Sequence, residues 1–396
     1  MNILYLCYWG LSEGLTQATV FPHLKLLAAS DKVEQIIFVT IERNGAGGNP
    51  AEIPGHPKVV YRPLVSRNFP VNLLNKINDF VIFPGALKSL IREFDIKKVI
   101  ARGSPAGALV YKICKEKQIP YYVESFEPHA DYMLESDVWR KSDPRYLFQK
   151  KWEEKIKSTA AGLMPVAENY KAQLVTEGVC SSRIVTVPCS VDLQRFAFDD
   201  GQRQRIREKL QVAPGALVSI YVGKFGGIYY DEEAFELFRR LMKIVPSLVI
   251  IILTPDNHAA LFDKIEKFGL PKERFRILTA THQEVPYYLS AADFALATIK
   301  PAPSRKFCSA IKVGEYWANG LPVLITTGVG DDSDIIGRQQ IGAVLPLDWQ
   351  DRDDRYLETV VGKLRMRNGR QAIAEVARRY RSLERCVEAY KHFGLL

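Results

Sequence analysis

The stretch Pro303-Ser304-Arg305-Lys306-Phe307-Cys308-Ser309-Ala310-Ile311-Lys312-Val313-Gly314-Glu315-Tyr316-Trp317-Ala318-Asn319-Gly320-Leu321-Pro322-Val323-Leu324-Ile325-Thr326 reads as loop, helix, glycine stop and strand. Ser309 is the expected N-cap and Gly320 the expected terminator, which sets Lys312 in the first turn and Glu315 one turn later. Residues three apart share a helix face. A lysine in a first turn adds positive charge to the positive end of the helix dipole, a conflict that an anionic ligand resolves. Glu315, an ionised carboxylate and therefore an acceptor, suits two hydrogen bonds from a ribose diol. A solvated Lys–Glu pair is the plainer alternative.

The strand that closes this stretch is the last of a series: Ala216 to Val222, Leu248 to Leu253, Phe275 to Thr279, Phe294 to Ala297 and Val323 to Thr326. The first half alternates in the same way, with Asn2 to Tyr8, Gln35 to Thr40 and Lys98 to Ala101 as apolar runs and Phe21 to Ala29 as an amphipathic stretch. Such alternation predicts parallel sheets with crossover helices, an α/β chain of two doubly wound Rossmann-like domains. The run Val187 to Phe196 and the polar Asp199-Asp200-Gly201-Gln202 read as a linker, giving domains 1–195 and 196–377. The charged tail, with Ile373, Val376, Tyr380 and Leu383 at helical intervals, reads as one or two surface-packing helices, and the segment from about 378 to 396 is expected to pack back on the first domain.

Size and composition agree with this. A chain of 396 residues, 47% apolar and 25% charged, is too long for one ordinary core and is neither disordered nor fibrous. Its longest apolar runs, such as Leu248 to Leu253, fall far short of the roughly 20 residues of a membrane-spanning helix. The N-terminus lacks a basic lead and a small-residue cleavage site, which predicts a cytoplasmic location. Six cysteines, without metal-ligand spacing, are expected to be free and mostly buried. A net charge of +9 suits nucleic acid, anionic lipid or a phosphorylated substrate, and no nucleic-acid-binding motif supports the first.

In a doubly wound sheet ligands bind at the carboxyl ends of strands. Tyr221-Val222-Gly223-Lys224-Phe225-Gly226-Gly227 leaves a strand there and enters a helix that Asp231 is placed to cap. Its glycines permit close approach of a ligand, and Lys224 supplies a point charge for a diphosphate; a plain turn is the alternative. In the first domain Gly10-Leu11-Ser12-Glu13-Gly14 follows the first strand. Tyr121 to Asp131 crowds Glu124, Glu127, His129 and Asp131 at a strand end, where shifted pKa values and catalytic groups are expected.

Lys312 to Val323 resembles the donor-site helix of GT4-type retaining glycosyltransferases of the GT-B fold. Gly223-Lys224 is similar to that family's glycine-basic pair, and Val187 to Phe196 to its interdomain signature. The resemblance implies two domains facing a central cleft, the first binding acceptor and the second a nucleotide-sugar donor. It implies Glu315 on the nucleotide ribose, and Lys224, Gly226, Gly227, Lys312 and Gly14 on the diphosphate. Phe307, Cys308 and Ser309 would face the donor sugar, and Glu127 and His129, which stand where the family often has a His-Asp or Arg-Asp pair, are the catalytic candidates. The implied reaction is metal-independent transfer, without a cofactor, from a UDP, GDP or dTDP sugar to a glycan, lipid-linked or small-molecule acceptor, the leaving diphosphate helping to take the proton.

Two departures stand out. Phe307 occupies the place of a glutamate eight positions before the ribose glutamate, and Ile228-Tyr229-Tyr230 stands where a second diphosphate lysine is usual. A nucleotide-sugar epimerase or hydrolase on the same fold, or an inactive scaffold subunit, are the alternatives. Asp331-Asp332-Ser333-Asp334 contains an Asp-x-Asp but is expected to cap a helix and hold no metal. The basic and aromatic stretch Trp139 to Trp152 reads as a crossover helix or as a membrane-surface helix, leaving peripheral membrane association open.

Overall fold

The computed structural model describes residues 1–43, 56–67, 69–70, 72–365 and 369–396, with main chain alone at 72, 73 and 76. The chain divides into two compact units, Met1–Pro188 with Leu383–Leu396, and Cys189–Ser382. The crossing thus lies earlier than residue 195 and the return later than 377. The physical reason is local: Val191 and Phe196 are buried in the apolar core of the second unit, so the supposed linker is part of it.

The first unit holds β1 (Asn2–Cys7), β2 (Gln35–Glu42), β3 (Val59–Tyr61), β4 (Leu64–Val65), β5 (Ile96–Arg102), β6 (Tyr121–Phe126) and β7 (Gly162–Pro165). They pair in parallel in the order β3-β2-β1-β5-β6-β7, with β4 also on β2. The second unit holds β8 (Val218–Val222), β9 (Val249–Leu253), β10 (Phe275–Leu278), β11 (Phe294–Ala297), β12 (Val323–Thr326) and β13 (Gly342–Leu345), parallel in the order β10-β9-β8-β11-β12-β13. Strands covered by helices on both faces must be apolar throughout, and every residue of β9, β11 and β12 is buried. In each unit the winding reverses beside the first strand, so the crevice that such a reversal opens lies past Val222 and Ala297 in the second unit.

The C-terminal helix Glu384–His392 belongs to the first unit. Its Tyr390 hydroxyl donates to the buried carboxylate of Glu124, which also receives the hydroxyl of Tyr5 and sits 3.3 Å from Arg102 and 3.2 Å from His23. Burial pushes the Glu124 carboxyl up, and His23 and Arg102 outweigh that and hold it at about 2. Lys98 donates to the carbonyls of Phe393 and Gly394, which fixes the end of the chain. No helix among the described residues is long and apolar enough to cross a membrane. Of the six free cysteines Cys7, Cys114 and Cys386 are buried, fewer than expected.

Candidate functional site

The stretch from Pro303 to Ala318 folds as a 3-10 turn, Pro303–Phe307, and a helix, Ile311–Ala318. Val313, Tyr316 and Trp317 are wholly buried, and every residue from Val313 to Ala318 is buried, so only the first turn of the helix reaches the surface. Its end is a Schellman arrangement: Gly320, at φ +75°, donates to the carbonyl of Trp317, and Leu321 donates to that of Tyr316. Its beginning differs from expectation. Ala310 is the N-cap, and the Ser309 hydroxyl instead receives the N–H of Cys189 and the guanidinium of Arg381. Ser309 is therefore tied to the segments that enter and leave this unit. Cys308 is half-buried beside the apolar core, and Phe307 lies partly exposed under the ammonium of Lys306.

Lys312 is in the first turn, with a partly exposed stem and a buried Nζ that has no hydrogen-bond partner among the described residues. The ammonium lies 4.0 Å from the ring centre of Tyr229 and 4.9 Å from that of Tyr221, where the aromatic faces replace some of its lost hydration. Burial pushes its pKa down to about 7 against the pull of Glu315. Below it is the switch-point loop. Gly223 has φ +134°, and a β-carbon there would lie 2.7 Å from Nζ, so only glycine fits without displacement. Tyr316 joins helix to sheet: its hydroxyl accepts from the N–H of Val222 and lies 3.4 Å from the Leu296 carbonyl, tying β8 and β11 to the same ring.

The loop beyond Gly223 is set by its own bonds. The Tyr221 hydroxyl donates to the Lys224 carbonyl, and Asp256 accepts from the Phe225 N–H. Gly226 and Gly227 have φ +77° and +61°, and Tyr230 donates to the Thr298 carbonyl, which lays the loop along the segment after β11. Lys224 is exposed. Asp231 occupies the cap position of the helix Glu232–Ile244, yet its carboxylate pairs with Lys264 and does not cap.

Glu315 is 6% exposed, and its Oε1 is 2.8 Å from Nε2 of His282, a residue on the loop after β10. The sequence reading missed this partner, along with the buried Arg305 in the 3-10 turn, whose charge acts on Tyr229. In the stretch Asp331 to Asp334, read as capping a helix, Asp331 is at the cap position without a side-chain cap bond, and Asp332 is buried and paired with Arg381, where burial pushes its carboxyl up to about 6. Among the described residues no group of acidic, histidine and cysteine side chains is arranged to hold a metal ion.

In the first unit Gly14 is exposed and opens the short helix Gly14–Thr19, where an added β-carbon would meet nothing. A β-carbon added to neighbouring Gly10 would lie 2.8 Å from the Glu42 carboxylate, which also accepts from the Leu11 N–H. Glu127 and His129 follow β6 at a bulge where Ser125 has φ +48°. Such strain persists only where surroundings enforce it. Here Ser125 donates to Glu127 Oε1, Ser104 donates to the Glu127 carbonyl, and His129 packs edge-on to Trp139. Glu153, from the helix Pro144–Thr159, accepts from the Ala130 N–H, and burial pushes its carboxyl up to about 7. The fold thus gathers Gly223, Lys312, Glu315 and His282 in the second unit and Glu127 and His129 in the first.

This architecture is the GT-B fold of glycosyltransferases. The chain is similar to sucrose-phosphate synthase from Thermosynechococcus elongatus, with a TM-score of 0.72 and 13% identity over 99% of this chain and 98% of that one. It is similar to Anabaena HepE solved with UDP-glucose, at 0.72 and 13% over the whole of both chains. It is also similar to WaaG, a glycosyltransferase involved in lipopolysaccharide biosynthesis, at 0.65 and 16% over 96% and 95%. No protein-family model and no curated protein matches its sequence.

Proposed function

We propose that the chain is a GT4-type glycosyltransferase that moves a sugar from a nucleotide-diphosphate sugar to a glycan or lipid-linked acceptor, with retention and without a metal. One observation carries the reading: the buried ammonium of Lys312, without a hydrogen-bond partner among the described residues, sits at a helix N-terminus over Gly223 of the switch-point loop, with Glu315 one turn further. A diphosphate supplies the missing counter-charge, and helix N–H groups add donors. Glu315 then takes the nucleotide ribose. UDP is the favoured nucleotide, since HepE was solved with UDP-glucose.

In the reaction the bond from the anomeric carbon to the diphosphate breaks as the acceptor oxygen bonds to that carbon, and the acceptor proton passes to the departing diphosphate. Lys312, Lys224 and the loop N–H groups stabilise the charge that develops there. Gly14 would extend this cradle, Cys308 and Phe307 would border the sugar, and Glu127 or His129 would orient acceptor or sugar. The basic and apolar surface of the helix Pro144–Thr159, with Leu147 and Phe148 exposed, supports a cytoplasmic enzyme resting on a membrane face.

The test is a product assay with UDP, GDP and dTDP sugars and a panel of glycan and lipid-linked acceptors, with and without EDTA. Acceptor-dependent release of one nucleotide, unaffected by EDTA, is expected. Free sugar or an epimer formed without transfer contradicts the reading, and so does nucleotide binding without turnover on any acceptor.

A further inference from the structure

We infer that His282 is a second residue of the nucleotide site, reading the ribose diol together with Glu315. The inference rests on the donor-site reading above. Glu315 is nearly fully buried, and a desolvated carboxylate needs donors. His282 Nε2, at 2.8 Å from Oε1, supplies one and leaves acceptor capacity on the carboxylate for a hydroxyl. The Nε2–H bond fixes the orientation of the carboxylate, so that its remaining lone pairs are held ready for the diol hydroxyls.

The histidine is built into place. Its ring lies 5.4 Å from that of Phe196, which is itself buried and holds Asn319 through its carbonyl. Its loop is pinned by Glu284, which accepts from both the N–H and the hydroxyl of Thr281 at 2.8 Å. The His282 side chain is nevertheless 46% exposed, while Glu315 is 8% exposed at its side chain. The pair thus joins a buried carboxylate to a ring edge that solvent or a ligand reaches. An ordinary surface ion pair has neither the burial nor the pinned loop. Lys312, three residues before Glu315 on the same helix face, places the diphosphate within one helical turn of the diol.

Calorimetric titration of the whole protein with UDP, 2′-deoxy-UDP and 3′-deoxy-UDP tests this, for wild type, His282→Ala, His282→Asn and Glu315→Ala. We expect His282→Ala to weaken UDP about tenfold and at least one deoxy nucleotide much less, and His282→Asn, which keeps a donor, to recover most of the loss. In turnover the donor KM should rise with kcat little changed, and thermal unfolding should stay near wild type because the side chain is half exposed. Equal weakening of all three nucleotides, or no weakening, overturns the inference while a normal Glu315→Ala loss leaves the donor site standing. An unchanged affinity in Glu315→Ala as well overturns the donor-site reading itself.

Discussion

The Lys312 ammonium faces Gly223: a β-carbon on the glycine would come within 2.7 Å of Nζ. A helix first turn and a switch-point loop therefore meet at this point. Gly223→Ala meets both the clash and a φ of +134°, which L residues rarely adopt. It should destabilise the protein by roughly 1–3 kcal/mol and reduce nucleotide affinity more than tenfold, read by denaturant unfolding and calorimetry.

Lys312 should also make nucleotide binding depend on pH. Burial holds the free ammonium at about 7, and a diphosphate beside it raises that value again. Above about pH 7 the free protein has lost the proton that the complex keeps, so binding should take up a proton and weaken as pH rises from 7 to 9. Calorimetry in buffers of different ionisation enthalpy measures the uptake directly. The uptake should vanish in Lys312→Met.

The same substitution should stabilise the fold. An ammonium with a folded pKa below its unfolded 10.5 lowers stability increasingly as pH falls from 10.5 to 7, and the full penalty applies below 7. Replacing it with an apolar side chain of similar length removes that penalty. At pH 7 Lys312→Met should raise Tm by on the order of 3 °C, with nucleotide binding lost. A fall in Tm would place the lysine's role in packing.

Glu153 should act with opposite sign of charge. Its folded pKa of about 7 exceeds the ordinary 4.5, so the folded chain gains a proton before the unfolded chain does, and stability rises as pH falls from 7 towards 4.5. Glu153→Gln keeps an acceptor for the Ala130 N–H and removes the titration. Unfolding midpoints of the variant should change less between pH 5 and 7 than those of the wild type.

The fold was readable because its central strands are buried on both faces and so appear as continuous apolar runs. The runs from Phe294 to Ala297 and Val323 to Thr326 coincide with β11 and β12. Gly320 was readable as a helix stop because a left-handed residue there needs glycine. Partners brought from far along the chain were not. Ser309 fits a cap by local rules, but Arg381 and Cys189 claim its hydroxyl. Asp332 likewise looks like a surface acid until Arg381 arrives from the helix Arg370–Arg381. His282 reaches Glu315 across 33 positions, and a single histidine in a polar turn gives no local sign of it. The helix Asn72–Glu93 carries Pro84 inside and exposes Leu74, Ile77 and Val81, so neither propensity nor apolar spacing announces it.

The most direct measurement is calorimetric titration of UDP into wild type and Glu315→Ala. Removing the nearly buried carboxylate proposed to bond the ribose should cost about 1–3 kcal/mol, roughly a ten- to hundredfold loss of affinity, with the fold intact. An affinity for UDP equal to that of the wild type would contradict a nucleotide site on the Lys312 to Glu315 face.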